Sequence, residues 1–295
     1  MLNQAIGLMS AIGASLFWAV AAAFYKLSME NEVNPFLVNF LRIPLAILFI
    51  FVILIVEGQV TLLCLALENS SFIFYLFLAT LVMNIVGDTM YLVSIRKTGV
   101  SIAYPLSYSY PILVALLASI ILGESLTVNL VAGLLFGVTG VWFISSTKAK
   151  SVRINLLGVV AALVASLSWS LGIILFALSV MEVNPLVTGF YKLVFLTVLV
   201  SPFTTYFIKE SPNIKRRNTL IGMFGGLLGI GVGDWLFYVS LDNVGASISA
   251  TLTTSSPLLS MVISYFYLKE KVNSIQILGT ICIIIGVIIV SVAPI

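Results

Sequence analysis

The stretch GDTMYLVSIRKTGVSIAYPLSYSYP at 87–111 returns as GDWLFYVSLDNVGASISATLTTSSP at 233–257, a constant 146 positions later. The same register holds without a gap over residues 87–141 and 233–287. It pairs Gly87 and Asp88 with Gly233 and Asp234, Gly99 with Gly245, Pro111 with Pro257, Glu124 with Glu270, and Gly133 with Gly279. Self-similarity at one fixed shift indicates a duplicated structural unit.

The duplication continues upstream of this block. The tetrapeptide Glu-Val-Asn-Pro occurs at 32–35 and again at 182–185, and Trp18 has a counterpart in Trp169. The sequence therefore predicts two copies of one unit, an architecture that is typical of secondary transporters.

Composition predicts that the chain lies in a membrane. With 61% apolar residues, 8% charged residues and a mean hydropathy of +1.19, it cannot bury its apolar side chains in a soluble core. Ten apolar stretches have transmembrane length, five in each half, with the halves at 1–150 and 151–295. The predicted spans are 5–25, 35–56, 72–95, 100–122, 128–146, 154–180, 185–208, 219–241, 246–268 and 274–293.

An odd number of spans in each half has a geometric consequence. The second half must enter the membrane from the opposite side, so a pseudo-two-fold axis in the membrane plane relates the two halves. The predicted fold is therefore an all-α polytopic membrane protein with ten transmembrane helices arranged as two inverted five-helix repeats. Secondary transporters that work by alternating access commonly have such an inverted repeat.

Basic residues set the expected orientation in the cell membrane. Of the fourteen Lys and Arg, twelve lie in or beside the loops that follow odd-numbered spans, and none lies in the other loops or the tails. The positive-inside rule then places the odd-numbered loops in the cytoplasm and both termini outside. The twelve are Lys26, Arg96, Lys97, Lys148, Lys150, Arg153, Lys209, Lys215, Arg216, Arg217, Lys269 and Lys271.

The two remaining basic residues lie inside predicted spans, each at the depth of an aspartate. Arg42 in span 2 and Asp88 in span 3 are both about 12 Å below the same interface, at a rise of about 1.5 Å per residue. Lys192 in span 7 and Asp234 in span 8 repeat this arrangement in the second half. One interpretation is two structural ion pairs that join neighbouring spans. The other is functional: a carboxylate is released or protonated during transport, or a basic residue meets the substrate.

Other polar and aromatic residues follow helical faces. Asn84, Asp88 and Tyr91 share one face of span 3, while Tyr104 and Tyr108 lie on one face of span 4 with Ser101 and Pro111. We expect these side chains to be candidates for substrate binding.

Seven of the ten residues 247–256 in span 9 carry hydroxyls, and these include Thr251 and Thr254. Such hydroxyls either bond to their own helix backbone or line water, and seven in ten residues favours a wet face for some of them. Trp18 and Trp169 lie too deep for the interfacial aromatic belt. They either pack in the core or form two aromatic walls around a ligand.

The combination of features resembles the EamA family of the drug/metabolite transporter superfamily. Each half has a Trp in its first span, Asn-Pro and then a basic residue in its second, and a Pro followed thirteen residues later by Glu in its fourth. The resemblance covers essentially the whole chain. It implies that spans 1–4 and 6–9 surround a central cavity, that spans 5 and 10 lie outside them, and that small metabolites are exported or taken up.

The resemblance also implies positions for site residues and for the termini. It places Trp18, Tyr91, Tyr104, Tyr108, Trp169 and the span 9 hydroxyls near the cavity. Relatives usually have both termini in the cytoplasm, whereas the basic residues of this chain predict both termini outside.

The expected substrate is neutral or zwitterionic, such as an amino acid. Spans 1 and 6 carry no charge, which disfavours the organic cations that the small multidrug transporters of this superfamily bind. Anionic substrates would need free basic groups, yet Arg42 and Lys192 both have candidate partners. Aromatic walls with hydroxyls and few free charges suit a neutral or zwitterionic solute.

Two other functions fit parts of the sequence. Gly231-Val232-Gly233-Asp234 resembles the Gly-x-Gly-Asp motif of intramembrane aspartyl proteases, with Asp88 as the second carboxylate, but such a dyad needs a shared proton. A basic residue at the depth of each aspartate disfavours this enzyme. A passive channel is the second alternative.

We expect a non-enzyme with a small-molecule substrate and lipid as partners. Net charge of +3 does not indicate nucleic acid, and the absence of histidine and a pattern of only two cysteines predict no metal site and no cofactor. Glycine faces on spans 5 and 10 predict packing within the subunit or a homodimer through these helices. The glycines are Gly133, Gly137, Gly140, Gly279 and Gly286.

Overall fold

The chain is helical throughout the part that its computed structural model describes. These residues are 2–28, 33–98, 103, 106–146, 155–259, 262 and 273–292, and they contain no strand. Seven helical stretches are long and apolar enough to cross a membrane. The protein is therefore an all-α, multi-pass membrane protein. The predicted boundary between the halves, at residue 150, lies outside the described residues.

Thirteen α-helices carry the labels used below. They are α1 Leu2–Ser28, α2 Pro35–Leu41, α3 Ile43–Val56, α4 Val60–Glu68, α5 Ser70–Ala79, α6 Asp88–Thr98, α7 Tyr110–Ile121, α8 Val128–Ser146, α9 Leu156–Glu182, α10 Pro185–Lys209, α11 Arg216–Gly226, α12 Asp234–Leu252 and α13 Ser274–Val292. Two π-helical segments, Thr80–Gly87 and Leu227–Gly233, join α5 to α6 and α11 to α12. A 3-10 turn, Thr253–Ser255, follows α12.

The repeated Asn-Pro starts a helix in each half. The Asn34 side chain accepts a hydrogen bond from the Phe36 amide at the start of α2. Asn184 does the same for two amides at the start of α10. Asparagine satisfies free amides at a helix start, and proline fits the first helical position because its missing N–H has no partner there. Helices thus begin at Pro35 and Pro185, as predicted.

Predicted spans 8 and 9 lie within Arg216–Leu259, where helix continues on both sides of a sharp bend inside α12. Within it Gly245 has a φ of 79°, a conformation that only glycine adopts without strain. The Ser240 and Ser249 hydroxyls lie 2.7 Å apart, whereas nine residues of straight helix would separate them by about 13 Å. The chain therefore reverses direction at Gly245.

Predicted spans 4 and 5 correspond to shorter helices. The apolar stretches described there are Tyr110–Ile121 and Val128–Ile144. Gly123, with a φ of 72°, ends the helical path after α7. Part of predicted span 4 lies outside the described residues, and Tyr110–Ile121 corresponds to its second half.

Helix α4 was not predicted, because nine residues are too few for a span. Helix α4 lies in the connection that follows α3. Two hydrogen bonds join this connection to the second half of the chain. The Tyr191 hydroxyl donates a 2.8 Å hydrogen bond to the Leu63 carbonyl, and Asn184 donates to the Gln59 side chain at 3.1 Å. The free Cys64 is exposed on this helix.

Helices α8 and α13 pack against each other through their glycines. A Cβ placed on Gly140 would lie 2.6 Å from the Gly279 carbonyl oxygen, and one on Gly133 would lie 2.9 Å from that of Gly286. Backbones this close require glycine on both sides. The glycine faces are thus occupied within the chain, so a homodimer would have to use other faces of these helices.

Large apolar side chains cover the outside of the molecule. Ile120, Val128 and Val56 are 80%, 84% and 77% exposed, while residues such as Phe72 and Leu76 are fully buried. Exposed apolar surface of this extent is expected where lipid replaces water. The helices therefore enclose a buried apolar core, and their apolar outer surface suits contact with lipid.

Candidate functional site

A cavity of about 360 Å³ lies between the two halves of the chain. Helices α1, α2, α6, α7, α9 and α12 and both π-helical segments contribute to its walls. Its lining brings together eight residues that the sequence singled out: Trp18, Arg42, Asn84, Asp88, Tyr91, Tyr108, Trp169 and Asp234. The volume suits a small metabolite, since ligand pockets commonly measure about 300–1,000 Å³.

Asp234 holds two partners at one edge of this cavity. Its Oδ1 accepts a 2.8 Å hydrogen bond from the Trp18 indole N–H, and its Oδ2 accepts one of 2.6 Å from the Lys192 ammonium. The Lys192 side chain is 1% exposed and that of Asp234 is 16% exposed, so the ammonium group is almost entirely removed from solvent. A charge-assisted hydrogen bond of this length is among the stronger ones in proteins.

Asp88 has the equivalent partners in the other half. Its Oδ1 accepts a 3.1 Å hydrogen bond from the Trp169 indole N–H, and its Oδ2 accepts one of 3.3 Å from Nη2 of Arg42. Each tryptophan therefore binds the aspartate of the opposite half, while each basic residue binds the aspartate of its own half. The two arrangements are similar in partners but not in tightness.

The ion pair between Arg42 and Asp88 is longer and more exposed to solvent than the pair between Lys192 and Asp234. Arg42 and Asp88 are separated by 3.3 Å and their side chains are 12% and 26% exposed, against 2.6 Å, 1% and 16% for Lys192 and Asp234. Ion pairs weaken as water reaches them. The first half thus presents the more accessible charges to the cavity.

The glycine before each aspartate allows the tryptophan to approach. A Cβ on Gly87 would lie 2.6 Å from Cδ1 of Trp169, and one on Gly233 would lie 2.7 Å from Cδ1 of Trp18. Each glycine also ends a π-helical segment, a widened turn that is frequent at functional sites. The repeated Gly-Asp is therefore explained by close packing of an indole on the backbone.

Aromatic rings form one wall of the cavity. The Trp169 ring centroid lies 5.1 Å from that of Tyr91 and 5.9 Å from that of Tyr108, while Trp18 packs against Phe237 at 5.2 Å. Tilted and edge-on rings at these separations attract one another. These contacts give the wall a defined shape.

Two residues predicted to bind substrate, Thr251 and Thr254, are described by the structure and do not line this cavity. Thr251 and Thr254 are buried, and each hydroxyl donates a 2.7 Å hydrogen bond to its own helix backbone. These bonds agree with the interpretation that the span 9 hydroxyls bond to their own helix backbone. Tyr104 lies outside the described residues. A role of these residues in substrate binding stays a prediction.

Sequence reasoning missed Tyr25 and Asn39, which also line the cavity. Tyr25 follows Trp18 by seven residues, two helical turns, and so lies on the same face of α1. That spacing was a signal that could have identified Tyr25. Asn39 precedes Arg42 by three residues, about one helical turn, and the same reasoning could have identified it.

A second cavity, of about 490 Å³, lies where the chain reverses at Gly245. The Glu124 carboxylate accepts hydrogen bonds from the Ala246 amide at 2.6 Å and the Ser247 amide at 2.9 Å. It thereby satisfies two free amides of the helix that follows the reversal. This contact gives the Glu of the repeated pattern a structural role in the first half. Gly99 and Glu270 lie outside the described residues.

Comparison with known proteins identifies related chains. The model of the EamA-like transporter family matches residues 5–146 and again residues 156–292. An uncharacterized transporter of Archaeoglobus fulgidus is 24% identical over 295 residues, covering 97% of this chain and 98% of that protein. The uncharacterized transporter YoaV of Bacillus subtilis is 23% identical over 283 residues, covering 94% and 93%.

A solved crystal structure has a similar fold. It matches with a TM-score of 0.81 over 97% of this chain and 98% of the other, at 17% sequence identity. At this identity the likeness concerns the fold alone.

Proposed function

This chain belongs to the EamA-like transporter family, and on that basis we propose that it is a secondary transporter for a small neutral or zwitterionic metabolite, such as an amino acid. It would move this solute across the cell membrane by alternating access. The observation that carries the proposal is the pair of bonds by which Trp18 and Trp169 each reach the aspartate of the opposite half across one cavity.

The two cross-half bonds support alternating access because they join the halves at equivalent positions. A carrier that rocks one half against the other needs contacts that form on one side as they break on the other. The Trp18 bond to Asp234 is 2.8 Å and the Trp169 bond to Asp88 is 3.1 Å, so the two contacts differ in one conformation. We propose that the difference reverses when the cavity opens to the other side.

The repeated residues also support ten spans in two inverted repeats. The reversal at Gly245 separates predicted spans 8 and 9, and the equivalent glycine of the first half is Gly99. Five spans in each half would invert the second copy. The basic residues then favour termini outside the cell, by the positive-inside rule.

Charge balance supports a substrate without net charge. The cavity edge holds two aspartates, each bound to one basic residue, so the four charges cancel. A solute with net charge would leave one of these groups unpaired in a poorly hydrated place, which is costly. The same pairing disfavours an aspartyl protease, whose two carboxylates share a proton rather than binding separate cations.

Counterflow in proteoliposomes tests the proposal. Vesicles loaded with an unlabelled amino acid should accumulate the same labelled amino acid faster than empty vesicles, and uptake should saturate. Only a carrier that exchanges one solute for another shows this stimulation. Flux that neither saturates nor responds to internal solute would indicate a channel, and no flux of any amino acid, nucleoside or sugar would contradict transport. A Trp18→Phe variant loses the hydrogen bond to Asp234 and should show weaker exchange than the wild-type protein.

A further inference from the structure

Two helical stretches from opposite halves of the chain are joined at both of their ends. They are α2 with α3 in the first half and α10 in the second, and each has transmembrane length. The Asn34 amide, before α2, donates a 2.8 Å hydrogen bond to the Ser211 hydroxyl, just past the end of α10. At the opposite end, the Asn184 side chain, before α10, donates a 3.1 Å hydrogen bond to the Gln59 side chain, just past α3. The two stretches are therefore antiparallel neighbours along their whole length.

Aromatic rings pack between the same two stretches. The Phe36 and Phe207 rings are stacked near one end, with centroids 5.2 Å apart and planes 14° apart. The Phe51 and Phe190 ring centroids lie 5.9 Å apart toward the other end. Ring pairs at these separations attract one another. Hydrogen bonds and aromatic contacts thus occur together at each end.

Helix α4 adds contacts at the end where α10 begins. The Tyr191 hydroxyl of α10 donates a 2.8 Å hydrogen bond to the Leu63 carbonyl of α4. The Tyr191 ring also meets the buried Phe72 ring edge-on, at a centroid distance of 6.0 Å. The corresponding connection of the second half, residues 210–215, contains no helix. One end of the pair is therefore held by more contacts than the other.

The central cavity lies away from α10. Within the described residues, none of those that line the cavity belongs to α10, although the lining comes from both halves. In a carrier whose halves rock, helices that separate to open one face keep their contacts only at the closed face. Two stretches that are joined at both ends in one conformation do not fit a gate. They fit the position about which the other helices move.

We propose that residues 35–56 and 185–209 form a pivot pair, which stays joined while the helices around the cavity open to alternate faces. This proposal rests on the proposed function and deepens it by naming the part of the chain that does not separate. Arg42 and Lys192 belong to the pivot pair, whereas Asp88 and Asp234 lie on helices that follow π-helical segments. The two ion pairs then connect the pivot pair to the helices that move.

Reversible cross-linking within the pivot pair tests the proposal. Cysteines replace Phe36 and Phe207 in one variant and Phe51 and Phe190 in another, in a background with Cys64→Ser and Cys282→Ser. A short bis-methanethiosulfonate reagent joins each pair, and mass spectrometry measures the extent of cross-linking. Both cross-linked variants should exchange solute in proteoliposomes as fast as they do after reduction. Halves that separate along this boundary would instead stop exchanging when either end is fixed.

A cross-link at a contact on one face only is the matched control. Glu124 of the first half accepts a hydrogen bond from the Ala246 amide of the second half at 2.6 Å, beside the second cavity. Ser125→Cys and Asn243→Cys form a gate pair that lines this same cavity. Cross-linking the gate pair should abolish exchange, and reduction should restore it, because these segments must separate when that face opens.

Tyr191→Phe tests the pivot pair without cysteines or a reagent. Its loss of the hydrogen bond to the Leu63 carbonyl should lower the Tm in detergent but leave solute exchange unchanged. Slower exchange at an unchanged Tm would contradict a purely holding role for this contact.

The outcomes separate the pivot pair from the proposed function. Loss of exchange on cross-linking either aromatic pair, with restoration on reduction, overturns the pivot pair and leaves the carrier intact. Exchange that survives the gate cross-link as well means that no helix has to separate, and it overturns both the pivot pair and alternating access.

Spin-label distances test the pivot pair even if the wild-type protein exchanges no solute, a result that would contradict the proposed function alone. Labels on the same cysteines should give a narrow distance distribution at both aromatic pairs and a broader one at the gate pair, since populations of two states broaden only the distances that differ between them. A distribution at either aromatic pair as broad as that of the gate pair overturns the proposal.

Discussion

The Trp18 indole donates a 2.8 Å hydrogen bond to the Asp234 carboxylate, although 216 positions separate the two residues in the sequence. The Trp169 indole donates to Asp88 at 3.1 Å in the equivalent way. Each half of the chain thus holds the aspartate of the other half. Disturbance of either contact should affect both the stability of the protein and the exchange of solute.

Loss of Arg42 should be rescued by neutralising its partner. Arg42→Ala leaves the Asp88 carboxylate without its cation in a buried place, which should destabilise the protein by roughly 3–5 kcal/mol. Arg42→Ala combined with Asp88→Asn should recover much of that loss. Melting temperatures in detergent measure both variants, and equal values for the single and double variants would refute the pairing.

Loss of Lys192 should be more damaging than loss of Arg42. The Lys192 side chain is 1% exposed and its bond to Asp234 is 2.6 Å, whereas Arg42 is 12% exposed and its bond to Asp88 is 3.3 Å. A stranded carboxylate is more destabilising where less water reaches it. Comparison of Lys192→Ala with Arg42→Ala by thermal unfolding checks this order. A lower Tm for Arg42→Ala would show that the open pair is the structural one.

Gly87→Ala should destabilise the protein by about 1–3 kcal/mol, because the new Cβ would lie 2.6 Å from the Trp169 indole. Gly189→Ala is the matched control, since its Cβ would lie 3.9 Å from the Tyr238 ring and alanine favours helix. Unfolding measurements should show a loss for the first variant and no loss for the second. Equal behaviour of the two variants would argue against the tight glycine and tryptophan contact.

Glu124→Ala should weaken the reversal at Gly245. The variant leaves the Ala246 and Ser247 amides without their acceptor, a loss of about 1–2 kcal/mol for a helix cap. Glu182→Ala removes a carboxylate whose bond to Asn69 is exposed, and should change stability little. If both substitutions have the same effect on Tm, Glu124 does not act as a cap.

Much of this fold is readable from the sequence because membrane helices leave strong signals. Apolar length predicts that the helices cross a membrane, and seven described stretches are long and apolar enough to do so. Asn-Pro predicts the helix starts at Pro35 and Pro185. The equal depth of Arg42 and Asp88 in the membrane also predicts their contact, because two groups at the same depth on adjacent spans can be neighbours. Those inferences use only local distances along a helix.

What the sequence does not predict depends on how the halves pack. The bond from Trp18 to Asp234 joins distant segments, and no local pattern marks it. The π-helical segments before Asp88 and Asp234 have no marker in the local sequence either. From the sequence alone, the Thr251 hydroxyl could either bond to its own helix backbone or line water. The structure shows that it donates a hydrogen bond to the backbone of its own helix.

Accessibility of the cavity from both sides of the membrane tests the account most directly. Asn39 lines the cavity and belongs to neither of the two ion pairs described, so Asn39→Cys in a background without Cys64 and Cys282 reports on the exposure of the cavity. The measurement is the rate at which a membrane-impermeant thiol reagent labels this cysteine in right-side-out and inside-out vesicles. Alternating access predicts labelling from both faces, with rates that change in opposite directions when the transported solute shifts the populations. Labelling from one face only, or from both faces at rates that the solute leaves unchanged, would contradict the account.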